Sequence, residues 1–168
     1  MKYFFRILTI LFVAVTLSPR AAAESAYFGV RGEALIPLTN SLGGLLTVPL
    51  FGIQVGYDFG TKSDPGLSVR GSLASLIFIN RIGLDVLYRI PQDATGKGLY
   101  VGGGADLLLT VGGASFGVPF GAHAVLGYAL PLSNSVAFFV EAYPGLLIFG
   151  GGPPLFYTSL GLGMNFYL

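Results

Sequence analysis

The chain has 168 residues with no cysteine and a single histidine, and only 10% of its residues are Asp, Glu, Lys or Arg. Without cysteine there is no disulfide framework, no thiolate metal site and no N-terminal thiol to acylate. One histidine among scattered carboxylates lacks the ligand spacing of a metal centre, and no cofactor is expected. Past the N-terminal segment, no stretch offers about 18 uninterrupted apolar residues, so spanning helices are not expected. The glycine runs Gly102-Gly103-Gly104 and Gly150-Gly151-Gly152 lack the strand–loop–helix setting of a phosphate loop.

Apolar residues make up 53% of the chain, with 26 glycines and 14 phenylalanines. The N-terminus is ordered like an export signal. Lys2 and Arg6 give a basic start, and Ile7 to Leu17 form an apolar run too short to cross a bilayer. Pro19 breaks that run, and Ala21-Ala22-Ala23 offers the small residues that signal peptidase requires. Cleavage is predicted after Ala23, giving a signal peptide at 1–23 and one domain at 24–168. Losing Lys2, Arg6 and Arg20 leaves six basic against eight acidic residues, a formal charge of −2 that gives no case for nucleic acid. An apolar, glycine-rich, exported chain without spanning helices has one membrane solution, a closed β-barrel in which every backbone group pairs within the sheet.

The hydropathy pattern supplies the strands. Alternating segments are predicted at 26–38, 49–59, 67–76, 79–89, 99–111, 117–130, 136–147 and 156–168, each near the length of a tilted spanning strand. Alternate side chains of a strand point to opposite faces. Phe28, Val30 and Ile36 share one face of the first segment, with Arg31 and Glu33 on the other. The second places Ile53, Val55 and Tyr57 against Gln54 and Asp58. The fourth places Ile82, Leu84 and Val86 against Arg81, Asp85 and Arg89. Arg70, Asp106, His123 and Glu141 obey the same parity. A soluble barrel would turn the apolar face inward. The export signal and the last strand point the other way, with the charges inside.

In that last strand Phe156, Thr158, Leu160, Leu162, Met164, Phe166 and Leu168 alternate with small or polar residues. Gly163, Phe166 and Leu168 fit a glycine–aromatic–apolar terminal pattern that resembles the closing strand of bacterial outer-membrane β-barrels. Over 24–168 the architecture resembles the OmpA-like and OmpX-like class of eight-stranded, antiparallel, up-and-down transmembrane barrels. The resemblance implies outer-membrane lipid as the surroundings, both termini on the periplasmic side, and recognition of the terminal strand by periplasmic chaperones and the barrel-assembly machinery. Outward aromatics fall into two rows. One holds Phe28, Tyr57, Phe59, Tyr88, Tyr128, Phe138 and Phe166, and the other Phe51, Phe78, Phe116, Phe120, Phe149 and Phe156, as interfacial girdles would. The far-side connections depart from the class. They are short, glycine-rich and apolar where long hydrophilic loops are usual.

Eight strands enclose a space that side chains can fill. The predicted lumen network is Arg31, Glu33, Asp58, Arg70, Arg81, Asp85, Arg89, Asp106, His123 and Glu141. Folding each hairpin about its turn centre sets Arg31 opposite Asp58, Arg70 near Asp85, Arg81 diagonal to Asp106, and Asp106 opposite His123. Buried charges need partners, so a structural network is the first expectation. A narrow gated pore is the alternative, although Leu35, Leu108 and Leu147 make the upper interior apolar. A carboxylate–histidine pair could activate a serine. Small barrels that trim lipid A use such a set, but here Val125 stands where their serine would be, and no enzyme is expected. An apolar rim that includes Leu45, Leu46, Val48, Leu50, Leu147, Ile148 and Phe149 offers a place for a hydrophobic ligand or a protein partner.

Overall fold

The computed structural model describes residues 25–38, 47–59, 66–76, 79–90, 98–110, 118–149 and 153–168. They form β1 (Ser25–Pro37), β2 (Val48–Phe59), β3 (Gly66–Leu76), β4 (Ile79–Arg89), β5 (Gly98–Thr110), β6 (Phe120–Pro131), β7 (Val136–Ile148) and β8 (Leu155–Tyr167). Each strand pairs antiparallel with its neighbours in sequence, and β8 returns to pair with β1, closing the barrel. Closure leaves no sheet edge. The expected strands agree with these to within a residue or so, except at the start of the sixth. Residues 118 and 119 lie outside β6, whose ladder begins at Phe120. Pro119 has no N–H to extend it, although its carbonyl still accepts from Leu108 at 3.0 Å. The expected signal peptide at 1–23, the triple glycine at 150–152, Phe78, Phe116, Leu45 and Leu46 lie outside the described residues.

The alternation read from the sequence is the alternation of the wall. In β4, Arg81, Asp85 and Leu87 are buried while Ile82, Leu84 and Val86 are exposed. All the charged residues among the described ones face the lumen: Arg31, Arg70, Arg81, Arg89, Glu33, Asp58, Asp85, Asp106 and Glu141. The outer wall carries Phe51, Ile53, Leu84, Leu126, Leu160 and Leu162, each more than half exposed. The closing seam adds a stacked pair, Phe28 and Phe166, with ring centroids 5.0 Å apart.

One seam is discontinuous. The β6–β7 register runs to His123↔Gly145 and resumes at Leu126↔Ala142, leaving Ala124 and Val125 unpaired with Pro144 and Tyr143. Pro144 has no N–H to donate, so the ladder is broken there.

The lumen is packed in layers. At the far end, Leu35, Leu147, Leu155 and Tyr157 form an apolar cluster, with Val48, Leu108 and Phe149 against it. Toward the termini, Leu87, Tyr100, Val125 and Tyr143 form a second cluster. The charged side chains lie between and beside these. Leu50 and Leu147, read as part of the rim, are buried interior residues, and Phe149, expected in the outer girdle, packs instead against the interior cluster because it continues the inward parity of Leu147. Ile148 is exposed on the outer wall.

Candidate functional site: the charged lumen

Two hubs organise the interior. The first is Asp106 on β5. Arg81 from β4 donates to it through Nε at 2.9 Å and Nη2 at 3.2 Å. His123 Nδ1 on β6 lies 2.7 Å from its Oδ2, and the Tyr157 hydroxyl on β8 donates to the same oxygen at 2.6 Å. Arg81 also reaches across the lumen to Glu33 on β1, donating through Nη1 at 2.9 and 3.0 Å. Glu33 in turn accepts from Arg31 at 2.6 Å.

The second hub is Arg70 on β3. Its Nε and Nη2 meet Asp85 Oδ2 at 2.8 and 2.7 Å. Its Nη1 donates across the barrel to Glu141 on β7, and its Nη2 to the Tyr143 hydroxyl at 3.2 Å. Glu141 also accepts from Tyr100 at 2.6 Å. His123 joins the hubs, because its Nε2 is 2.8 Å from Asp85 Oδ1.

Tyr143 is the pillar between them. Its ring is wholly buried. The Arg31 and Arg81 guanidinium carbons stand 4.8 and 5.3 Å from its centroid, and His123 meets it edge-on at 5.5 Å. A cation over an aromatic face contributes up to about 2 kcal/mol when desolvated. The ring thus helps hold like-charged guanidinium groups close together.

Glycine makes the crossings possible. A Cβ built on Gly104 would lie 2.3 Å from Asp85 Oδ1 and 2.9 Å from His123 Cε1. Any side chain there would push His123 away from Asp85. Gly163 of the terminal pattern is similarly constrained, since its Cβ would meet Val30 O at 2.1 Å and the Phe139 ring at 2.6 Å.

At the terminal end Arg89 pairs with Asp58 on β2, and Gln54 donates to Asn165 at 2.6 Å. A small cleft there is lined by Tyr27, Asp58, Ser68, Arg70, Arg89 and Tyr167 among others.

These contacts sort the sequence expectations. Arg70 meets Asp85, and Arg81 meets Asp106 from a diagonal position, as the hairpin geometry implies. Two pairings are corrected. Arg31 is not opposite Asp58. Its register partner is Gly52, its nearest ion partner is Glu33 with Glu141 at 4.0 Å, and Asp58 belongs to Arg89. The β1–β2 register is centred three residues earlier in the chain than an Arg31–Asp58 pairing requires, which moves the partner by six residues along β2, and a turn centre read from sequence does not fix that register. His123 is opposite Gly104 rather than Asp106. It still reaches Asp106, because the diagonal neighbour lies within range of a long side chain. The acid that completes its surroundings is Asp85, two strands away. The hydroxyls of Tyr100 and Tyr157 join the network although the predicted set does not contain them. Their parity matches that of the charged residues, which was the available signal.

No protein-family model matches the sequence, and no curated protein matches it. Solved structures do. The chain resembles neisserial surface protein A at 14% identity with a TM-score of 0.60, over 86% of this chain and 98% of that one. The barrel fold is shared between them. The N-terminal β-barrel domain of Pseudomonas aeruginosa OprF is similar at 18% identity and TM-score 0.43, over 83% of this chain and 97% of that domain. The outer membrane protein OprG of the same organism is similar at 9% identity and TM-score 0.43, over 88% and 96%. The chain is a closed, eight-stranded, up-and-down antiparallel barrel of the type read from its sequence.

Proposed function

We propose that the protein is an integral outer-membrane barrel, exported by removal of residues 1–23, whose lumen is a fixed plug and whose role is structural or interactive. One observation carries the reading. The described charges are all inside and paired, while large apolar side chains are exposed around the outside. Water would not tolerate such a wall without association, whereas hydrocarbon requires it. Strands of 11 to 13 residues suffice to span a bilayer when tilted. Glu33, Asp85, Asp106 and Glu141 are each held by arginine, leaving no open file of polar groups for conduction among the described residues. Gly163, Phe166 and Leu168 serve as the signal read by the assembly machinery.

The reading has no place for catalysis at His123. Both ring nitrogens face carboxylates, so neither is free to take a proton from a serine.

The test is gel mobility of the protein from an outer-membrane fraction, unboiled against boiled. A heat-dependent shift in that fraction is the expected result. A soluble periplasmic pool with no shift would overturn the reading and make the charged parity a solvent face.

A second reading rests on the apolar far-end cluster of Leu35, Leu147, Leu155 and Tyr157, with Val48 and Phe149 against it. This collar suits a small hydrophobic molecule at the mouth of the barrel. Saturable binding of a fluorescent fatty acid, lost in Val48→Asp, supports it. Absence of binding to the folded barrel removes it.

A further inference from the structure

His123 sits between two carboxylates, with Nδ1 2.7 Å from Asp106 Oδ2 and Nε2 2.8 Å from Asp85 Oδ1. An ionised carboxylate only accepts, and a neutral imidazole has a single N–H to donate. Both contacts are hydrogen bonds only if a proton is added, either to the ring or to one of the acids. The charge count asks for the same proton. The described lumen holds the arginines 31, 70, 81 and 89 against the acids 33, 58, 85, 106 and 141, one more acid than arginine. A buried set with an unbalanced charge is costly, and one extra proton makes it neutral.

The surrounding donors say where that proton resides. Asp106 already accepts from Arg81 at both oxygens and from Tyr157 at Oδ2. Asp85 Oδ2 accepts from Arg70 Nε at 2.8 Å and lies 2.7 Å from the Nη2 of the same guanidinium. Each acid is thus held in the form that accepts, and the imidazole is left to carry the proton. The other charged or titratable groups around the ring are Tyr143 from β7, edge-on, Arg81 from β4 and Tyr157 from β8 on Asp106, and Arg70 from β3 on Asp85.

We propose that His123 is held as an imidazolium, the fifth cation of an electroneutral plug, clamping β4, β5 and β6 together from inside the barrel. This inference rests on the plugged-lumen reading above. The cation fixes two acids on strands that flank or lie beyond its own. It also explains why Gly104 stands where a side chain would block the crossing.

Because the sequence holds a single histidine, ring-nitrogen resonances of the untagged, 15N-histidine-labelled barrel in detergent micelles assign themselves. At pH 8, where a free histidine with a pKa of about 6.5 is neutral, both ring nitrogens are expected to bear protons. One ring nitrogen with the shift of an unprotonated imidazole overturns the proposal, whichever acid then holds the proton. In Asp85→Asn the ring is expected to become neutral and keep its proton on Nδ1. A ring unchanged by that substitution also overturns it. The heat-dependent gel shift of the same samples reports folding separately, so failure of the barrel reading is distinguishable from failure of the charge assignment.

Discussion

The charged layer and the apolar collar share one lumen but are built on opposite principles. The layer around Asp106 and Arg70 depends on partners, since every arginine in it is held by an acid from another strand or a near neighbour. The collar of Leu35, Leu147 and Leu155 depends on volume alone. Removing one member of an ion network leaves the others buried and unpaired, which costs more than the network contributes as a whole. Removing one leucine leaves a cavity that its neighbours can partly fill. The two layers should therefore respond differently to the same kind of truncation.

The sharpest break is Asp106→Ala, which strips partners from Arg81, His123 and Tyr157 at once. A loss of about 4 kcal/mol is expected in urea unfolding of the barrel in lipid vesicles. A loss under about 1 kcal/mol, no more than a typical hydrogen bond, would mean that water or rearranged pairs replace the network.

Next comes a test of the wall that encloses both layers. Leu84 is 60% exposed on the outer face. In a bilayer Leu84→Arg is expected to cost about 3 kcal/mol, whereas a face that meets water would lose no more than about 0.5 kcal/mol. Leu147→Ala, in the collar, is expected to cost about 2.5 kcal/mol through lost burial and a residual cavity, with the charge network undisturbed. A loss equal to that of Asp106→Ala would show the layers to be one cooperative unit.

The smallest expected effect is the most specific. The Tyr157 ring lies in the collar while its hydroxyl donates to Asp106. Tyr157→Phe keeps the ring and deletes one hydrogen bond to a charged acceptor, for a loss of about 1.5 kcal/mol. Combined with Leu147→Ala the losses should add, and combined with Asp106→Ala they should not. Additivity in both pairs would sever the proposed link through the hydroxyl.

The residues that were legible and those that were not differ in a simple physical way. Arg70 and Asp85 flank a tight connection, so their pairing follows from local hairpin geometry. Arg31 and Asp58 flank a longer one, where a shift in register moves the partner out of reach, and Arg31 turns to Glu33 instead. Contacts across the lumen, such as Arg81 with Glu33 and Arg70 with Glu141, join strands that are not neighbours in the sheet, and hairpin folding gives no access to them. The tyrosines are not legible as network members by type, because an aromatic residue serves equally well as wall or as filling. Only its parity marks Tyr100 and Tyr157 as interior.

The period-two alternation by itself determined the strands, their two faces and the set of charges that share the inner one, because in a strand the direction of a side chain is fixed by its place in the sequence. Closure decided the rest. Which arginine meets which acid, which glycine yields its space, and why His123 lies between Asp85 and Asp106 depend on the register of every seam and on the distance across the barrel, and those are properties of the closed wall rather than of any one strand.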